Sequence, residues 1–212
     1  MTTNDAYRRT RESLHAVAEQ LLAGPEYQSS GTIRLRATPG GFATVEAPRL
    51  AVQEGALFLD DSAIRELHDA TIADLAAAVR VEPGMPDGVY SDTTKFDPNT
   101  VLFIDPGQYR ILTRAFELGD AALRALAPDR TPVLWPEHFD IGIDADEVNY
   151  GVSPGDSLIP EPYAYVGPWT PRTGDFWNQS FGAARTIAEL GGPDALLAFF
   201  TEGKRLTAQT SK

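Results

Sequence analysis

The chain has 212 residues, 42% hydrophobic and 23% charged, an ordinary globular balance that excludes fibrous, collagen-like and intrinsically disordered classes. Lys and Arg number 18 against 30 Asp and Glu, a formal net charge of −12. The mean field therefore repels phosphate backbones and anionic lipid, so neither nucleic acid nor a membrane surface is an expected partner, and with no cysteine disulfides, thiolate metal centres and thiol nucleophiles drop out.

Met1-Thr-Thr-Asn-Asp has no basic and apolar leader pattern, and no apolar run approaches the about 18 residues of a membrane span, so a cytoplasmic protein is expected. From Asp5 to Ala23, Leu14, Val17, Ala18, Leu21 and Leu22 recur at helical spacing, with Arg8, Arg9, Arg11, Glu12 and Glu19 on the other side. This predicts an amphipathic helix stopped by Gly24-Pro25, with His15 among its surface charges. Thr32–Arg36 alternates, Pro39-Gly-Gly turns the chain, and Phe42–Val45 returns: a β-hairpin. A weaker pair, Leu50–Val52 and Ala56–Leu59, flanks Gln53-Glu-Gly.

Thr71 with Asp74 three residues on opens a short helix that ends before Pro83-Gly-Met-Pro. The Pro- and Gly-rich stretch 81–99 reads as a long irregular loop whose role is open. Asp105-Pro106 supplies an N-cap and first-turn proline for a helix to about Ala127, with Ile111, Ala115, Phe116, Leu118, Ala122, Leu123 and Leu126 inward. A last helix starts at Pro193 and carries Leu196, Phe199, Phe200 and Leu206, and the tail from Thr207 is expected to fray. The fold class is α+β: a single domain over 1–212, with antiparallel hairpins or a meander packed with about four helices.

The chemistry concentrates between Trp135 and Trp169. From His138 the segment alternates, placing Phe139, Ile141 and Ile143 on one face and His138, Asp140, Gly142 and Asp144 on the other. After a four-residue turn, Asp144–Glu147, the strand Val148–Ser153 returns, so that Ile141 faces Tyr150, Asp140 faces Gly151 and His138 faces Ser153. Ser153-Pro-Gly-Asp156 then turns the chain into Glu161–Val166, with Glu161, Tyr163 and Tyr165 on one face. The three polar faces together suggest a pocket floored by Ser153, Asp156, Tyr163 and Tyr165 and walled by Trp135 and Trp169, with Gly142 and Gly151 leaving room for a ligand.

In that pocket His138 is the candidate general base, oriented by Asp140 or Glu161. A solvated outer face of an antiparallel sheet would carry the same residue types. A metal is a second chemical option, because His138 and Asp140 at i, i+2 project alike and Asp156 or Glu161 could complete an N/O set. The acidic run Asp140–Glu147 lacks the spacing and turn glycine of a calcium loop. No phosphate-binding loop, dinucleotide fingerprint or nucleophile elbow occurs, so no cofactor is implied.

The order Trp135-Pro-Glu-His-Phe-Asp140, Ser153-Pro-Gly-Asp156 and Glu161-Pro-Tyr-Ala-Tyr-Val-Gly-Pro-Trp169 resembles the central signature of a family of bacterial proteins of unknown function. The resemblance implies that these positions form one unit, without naming an activity. The expected function is small-molecule binding on the polar face of 138–166, extended to acid–base catalysis if His138 meets its carboxylate. The alternative is a non-enzymatic interaction or homo-oligomer surface built from the tryptophans and tyrosines, and a purely structural corner is the third reading.

Overall fold

The computed structural model describes residues 2–90 and 93–208. It is an α+β protein whose strands all pair antiparallel, as expected, and it divides into two compact units, Met1–Arg114 with Leu134–Phe139 and Ala115–Val133 with Asp140–Lys212.

The first unit opens with α1 (Thr3–Ala16), capped by the Thr2 hydroxyl, which accepts from the Asp5 N–H at 3.2 Å. The expected stop at Gly24-Pro25 does not occur. The helix widens into a π-helical segment (Val17–Ala23) and continues as α2 (Gly24–Ser30) until Gly31 adopts a left-handed conformation. In a π-helix the amide five residues on is the donor, and at Pro25 there is none. The Gln20 carbonyl therefore accepts from Gly84 N–H instead, at 2.8 Å. Gly24 is needed there because a Cβ would overlap the Gly84 carbonyl.

Strands β1 (Leu35–Thr38), β2 (Gly41–Thr44), β3 (Leu50–Gln53), β4 (Ala56–Leu59) and β5 (Ser62–Glu66) form a meander, and β6 (Val133–Trp135) joins β1 where Leu134 faces Leu35. The order is β6-β1-β2-β3-β4-β5. Both predicted hairpins are present. β5 was not anticipated because it is exposed along its whole length and so carries no apolar alternation. Leu14, Leu21, Leu22, Leu35, Phe42, Leu50 and Leu57 are fully or almost fully buried in this unit.

Helix α3 (Ile72–Val79) has the expected Thr71 cap, 3.1 Å from Asp74 N–H, and ends where Arg80 turns left-handed. In α4 (Pro106–Leu126), Asp105 Oδ1 accepts from the Gly107 and Gln108 N–H groups at 2.9 Å. Ile111 is 49% exposed rather than inward; Tyr109 and Leu112 are buried in its stead. The stretch 81–99 is irregular where described and is fastened to the π-helical segment. Glu19 accepts from Thr94 N–H at 2.7 Å, and the Gln20 side chain donates to the Phe96 carbonyl at 2.8 Å. Glu19 is thus buried, not on the solvent side where helical periodicity put it.

The second unit is built on β7 (Asp140–Ala145), β8 (Val148–Ser153), β9 (Tyr163–Pro168) and β10 (Ala183–Thr186), in the order β10-β9-β8-β7. The β7–β8 register differs from expectation by two residues. Its turn is only Asp146-Glu147, both with positive φ, and Ile141, Ile143 and Ala145 face Val152, Tyr150 and Val148. A two-residue shift leaves every side chain on its own face, so apolar still meets apolar. His138 is not in the strand: Pro136–Phe139 form a turn, with Phe139 at φ 52°.

Strand β10 and the short α5 (Ile187–Leu190) were not anticipated, although the Thr186…Glu189 capping box that starts α5 is legible in sequence. Helix α6 (Pro193–Ala208) starts where predicted, but Thr207 is helical and buried rather than frayed; residues 209–212 of the expected tail lie outside the described residues. The apolar face of these strands is covered at two glycines. A Cβ on Gly119 of α4 would come within 2.8 Å of Ile141, and one on Gly203 of α6 within 2.8 Å of Val166. Tyr150 packs edge-on to Phe200 with ring centroids 6.1 Å apart.

Candidate functional site

On the opposite face of β7–β9 the structure brings together part of the expected set. Gly142 faces Gly151 and Gly151 faces Tyr165, and the Tyr165 ring lies over Gly151 so closely that a Cβ there would overlap its hydroxyl end. The space left by the two glycines is therefore filled by a side chain of the protein. Across it, the Tyr165 hydroxyl donates to Asp140 Oδ2, and Asp140 is buried. Burial, and then the Asp140 charge, hold the Tyr165 phenol well above its usual pKa. Tyr165 is therefore a fixed hydrogen-bond donor that keeps its proton.

Beside it Tyr163 donates to Asp156 Oδ2 at 2.7 Å, and its phenol is also raised by burial and by that carboxylate. Asp156 Oδ1 accepts from the Leu158 and Ile159 N–H groups at 2.7 and 2.8 Å, closing the loop ahead of β9. Ser153 is buried and accepts from Gly155 N–H at 3.1 Å. The Ser-Pro-Gly-Asp motif is therefore a self-contained polar corner, with Tyr163 and Tyr165 6.4 Å apart at its edge.

The other expected residues stand elsewhere. The His138 side chain is 65% exposed on the Pro136–Phe139 turn, with Nε2 3.4 Å from Glu137. Glu161 is exposed ahead of β9. Trp135 is half-buried with the Arg34 guanidinium 5.9 Å over its ring. Trp169 is 61% exposed, and its indole N–H donates to Asn149 at 3.2 Å. Among the described residues no group of three or more His, Asp or Glu is placed to hold a metal ion, so the N/O set drawn from His138, Asp140, Asp156 and Glu161 is not assembled.

The histidine that is built into the structure is His15. Its Nε2–H donates to the Pro136 carbonyl at 2.7 Å and its ring stacks on Phe139 at 5.3 Å. Burial pushes its pKa down to about 4, with the Arg11 charge adding to the shift against the opposing Pro136 hydrogen bond. The Trp-Pro-Glu-His-Phe segment therefore wraps this neutral imidazole, a role that helical periodicity could not show.

A concave feature lies at the far end of the same hairpin: a cavity of about 210 Å³ between the Asp146–Val148 turn, the exit of β9 at Pro168, Thr170 and Arg172, and the last turn of α6 at Lys204–Ala208. The turn is held against the strand exit by the Trp169 N–H, which donates to the Glu147 carbonyl at 2.9 Å. Arg172 donates through Nη2 to the Thr207 carbonyl at 3.4 Å, and its Nε–H is buried with no hydrogen-bond partner among the described residues. A buried guanidinium N–H normally has an acceptor. Sequence reasoning raised Arg172 only as a counter-charge to the acidic segment and gave no signal for Lys204, because a lone lysine on a terminal helix is indistinguishable from surface charge.

No protein-family model, no curated protein and no solved structure matches the chain.

Proposed function

We propose that this protein binds a small molecule, and that it does so in the cavity bounded by the Asp146–Val148 turn, Arg172 and the end of α6. The observation that carries this reading is a cavity lined by Asp146, Glu147, Arg172 and Lys204, none of which takes an ion pair within 4.0 Å among the described residues: a ligand's polar groups would supply the missing partners. The volume, about 210 Å³, suits a metabolite smaller than the usual drug-sized ligand.

Acid–base catalysis by His138 with Asp140 or Glu161 draws less support. His138 has its close carboxylate in Glu137, and Asp140 Oδ2 is engaged by Tyr165. An interaction surface around Trp169 remains the alternative, favoured by its 61% exposure.

Amide shift mapping by NMR with acetate, L-alanine and succinate at millimolar concentration tests the site. Shifts grouped at 146–148, 168–172 and 204–208 are expected. Shifts grouped instead around 138–140 and 161 would return the site to the polar face, and none with any probe would favour the interaction-surface reading.

A further inference from the structure

The cavity just described holds an unusual balance of charge. The chain as a whole is strongly acidic, at −12, yet the cavity is lined by two carboxylates, Asp146 and Glu147, and two cations, Arg172 and Lys204. Among the described residues none of these four side chains is in an ion pair within 4.0 Å. Elsewhere Arg8, Arg124 and Arg205 pair with carboxylates at 2.6 to 2.9 Å, Arg8 with two of them. Opposite charges that share one small cavity without pairing leave both signs open to a ligand.

Hydrogen bonds tie the segments that carry these charges. Asp146 and Glu147 are the two central residues of a tight hairpin turn, pinned through Trp169 N–H. Arg172 is tied to the last turn of α6 through Thr207, and Lys204 stands one turn earlier on the same helix. The cavity thus collects two acids from the hairpin turn, one cation from the exit of β9 and one from α6, together with the apolar Val148, Pro168 and Ala208.

Resting on the small-molecule reading above, we infer that the ligand is a zwitterion of amino-acid size. Its carboxylate is received by the Arg172 and Lys204 side chains, and its ammonium faces Asp146 and Glu147. A guanidinium can meet both carboxylate oxygens at once, and an ammonium beside two carboxylates regains the charge stabilisation that it loses with its water. A monocarboxylate would leave the two acids facing it, and a monoamine would leave the cations facing it, so both halves bind less well than the whole.

Isothermal titration with L-alanine, 4-aminobutyrate, butyrate and butylamine on the full chain tests this. At least one zwitterion should bind about tenfold or more tightly than either single-charge probe, since one charge-assisted hydrogen bond amounts to about that factor. Arg172→Gln and Lys204→Gln should each weaken the zwitterion and butyrate alike, whereas Asp146→Asn with Glu147→Gln should weaken the zwitterion and strengthen butyrate. Because Arg172 also holds the end of α6, Lys204→Gln serves if Arg172→Gln does not fold. Butyrate binding as tightly as the zwitterions, with loss in Lys204→Gln, overturns the zwitterion assignment while leaving a small-molecule site. Absence of heat with all four probes, together with no shift of their NMR signals on adding protein, overturns the zwitterion assignment as well; acetate or succinate mapping to the cavity would then still uphold the broader reading.

Discussion

Tyr165 and Tyr163 show how two tyrosines two residues apart on one strand face carry different weights. Each donates to a carboxylate, but Asp140 is buried whereas Asp156 is half-buried and also receives two backbone N–H groups. Removing a donor from a buried carboxylate costs more than removing one of several from a partly solvated one. Tyr165→Phe is therefore expected to cost about 1–3 kcal/mol of unfolding free energy at pH 7, and Tyr163→Phe about 0.5–1.5 kcal/mol. Urea denaturation of the two variants side by side would check the order; equal losses would mean that Asp140 draws little from Tyr165. The tyrosines were legible as members of one polar face. That their hydroxyls are already occupied was not, because strand alternation gives a direction and no partner.

At the scale of elements, the central strands depend on Gly151. Its missing Cβ admits the Tyr165 ring on one side, and a Cβ would also stand 2.7 Å from the Ile141 carbonyl on the neighbouring strand. Gly151→Ala must displace backbone as well as side chain and is expected to cost about 3 kcal/mol, the upper part of the overpacking range. Thermal unfolding would show it as a marked fall in Tm, with loss of the Tyr165 to Asp140 contact visible in the phenol's ultraviolet titration. Gly142 and Gly151 were expected to leave space for a ligand. The same physical property, absence of a side chain, serves a neighbouring tyrosine instead. The first helix departed from expectation for a related reason. Gly24-Pro25 carries the local signature of a stop, but the π-helical segment absorbs the missing N–H and a distant amide, Gly84, takes the spare carbonyl. A pattern confined to neighbouring residues contains no information about Gly84.

At the scale of the whole molecule, two buried groups set opposing limbs of the pH–stability profile. Glu26 is fully buried, with Oε1 accepting from the Val45 and Glu46 N–H groups and Oε2 without a partner among the described residues. Burial pushes its pKa up to about 7 against those two hydrogen bonds. Its folded pKa lies above the unfolded one, so its contribution is complete below about pH 4.5 and is lost as pH rises through about 7, by at most ~3 kcal/mol. His15 acts in the other direction. Its folded pKa, about 4, lies below the unfolded 6.5, so its contribution is complete above pH 6.5 and is lost as pH falls toward 4. Glu26→Gln should flatten the fall in stability between pH 5 and 8, whatever its offset, and His15→Gln should flatten the acid limb. Chemical denaturation of the three proteins from pH 4 to 8 measures both slopes; an unchanged slope in Glu26→Gln would show that the carboxyl ionises in the fold as freely as in the unfolded chain.

By itself the amino-acid order determined what depends on neighbours along the chain: the α+β class, the two early hairpins, the Thr71 and Asp105 caps, the start of α6, and the apolar and polar faces of β7–β9. Each follows from periodicity or from a turn or cap within a few residues. Tertiary structure alone decided which histidine is embedded, since His15 reaches Pro136 and Phe139 more than 120 positions away. It also moved His138 out of the strand, filled the glycine gap with Tyr165, buried Glu19 on a helix that reads as amphipathic and Glu26 beyond its expected stop, and brought Arg172 and Lys204 to one cavity with Asp146 and Glu147. The physical reason is the same in every case: burial, pairing and concavity are made by contacts between segments far apart in sequence, and a charge or a ring acquires its role only from what the fold places against it.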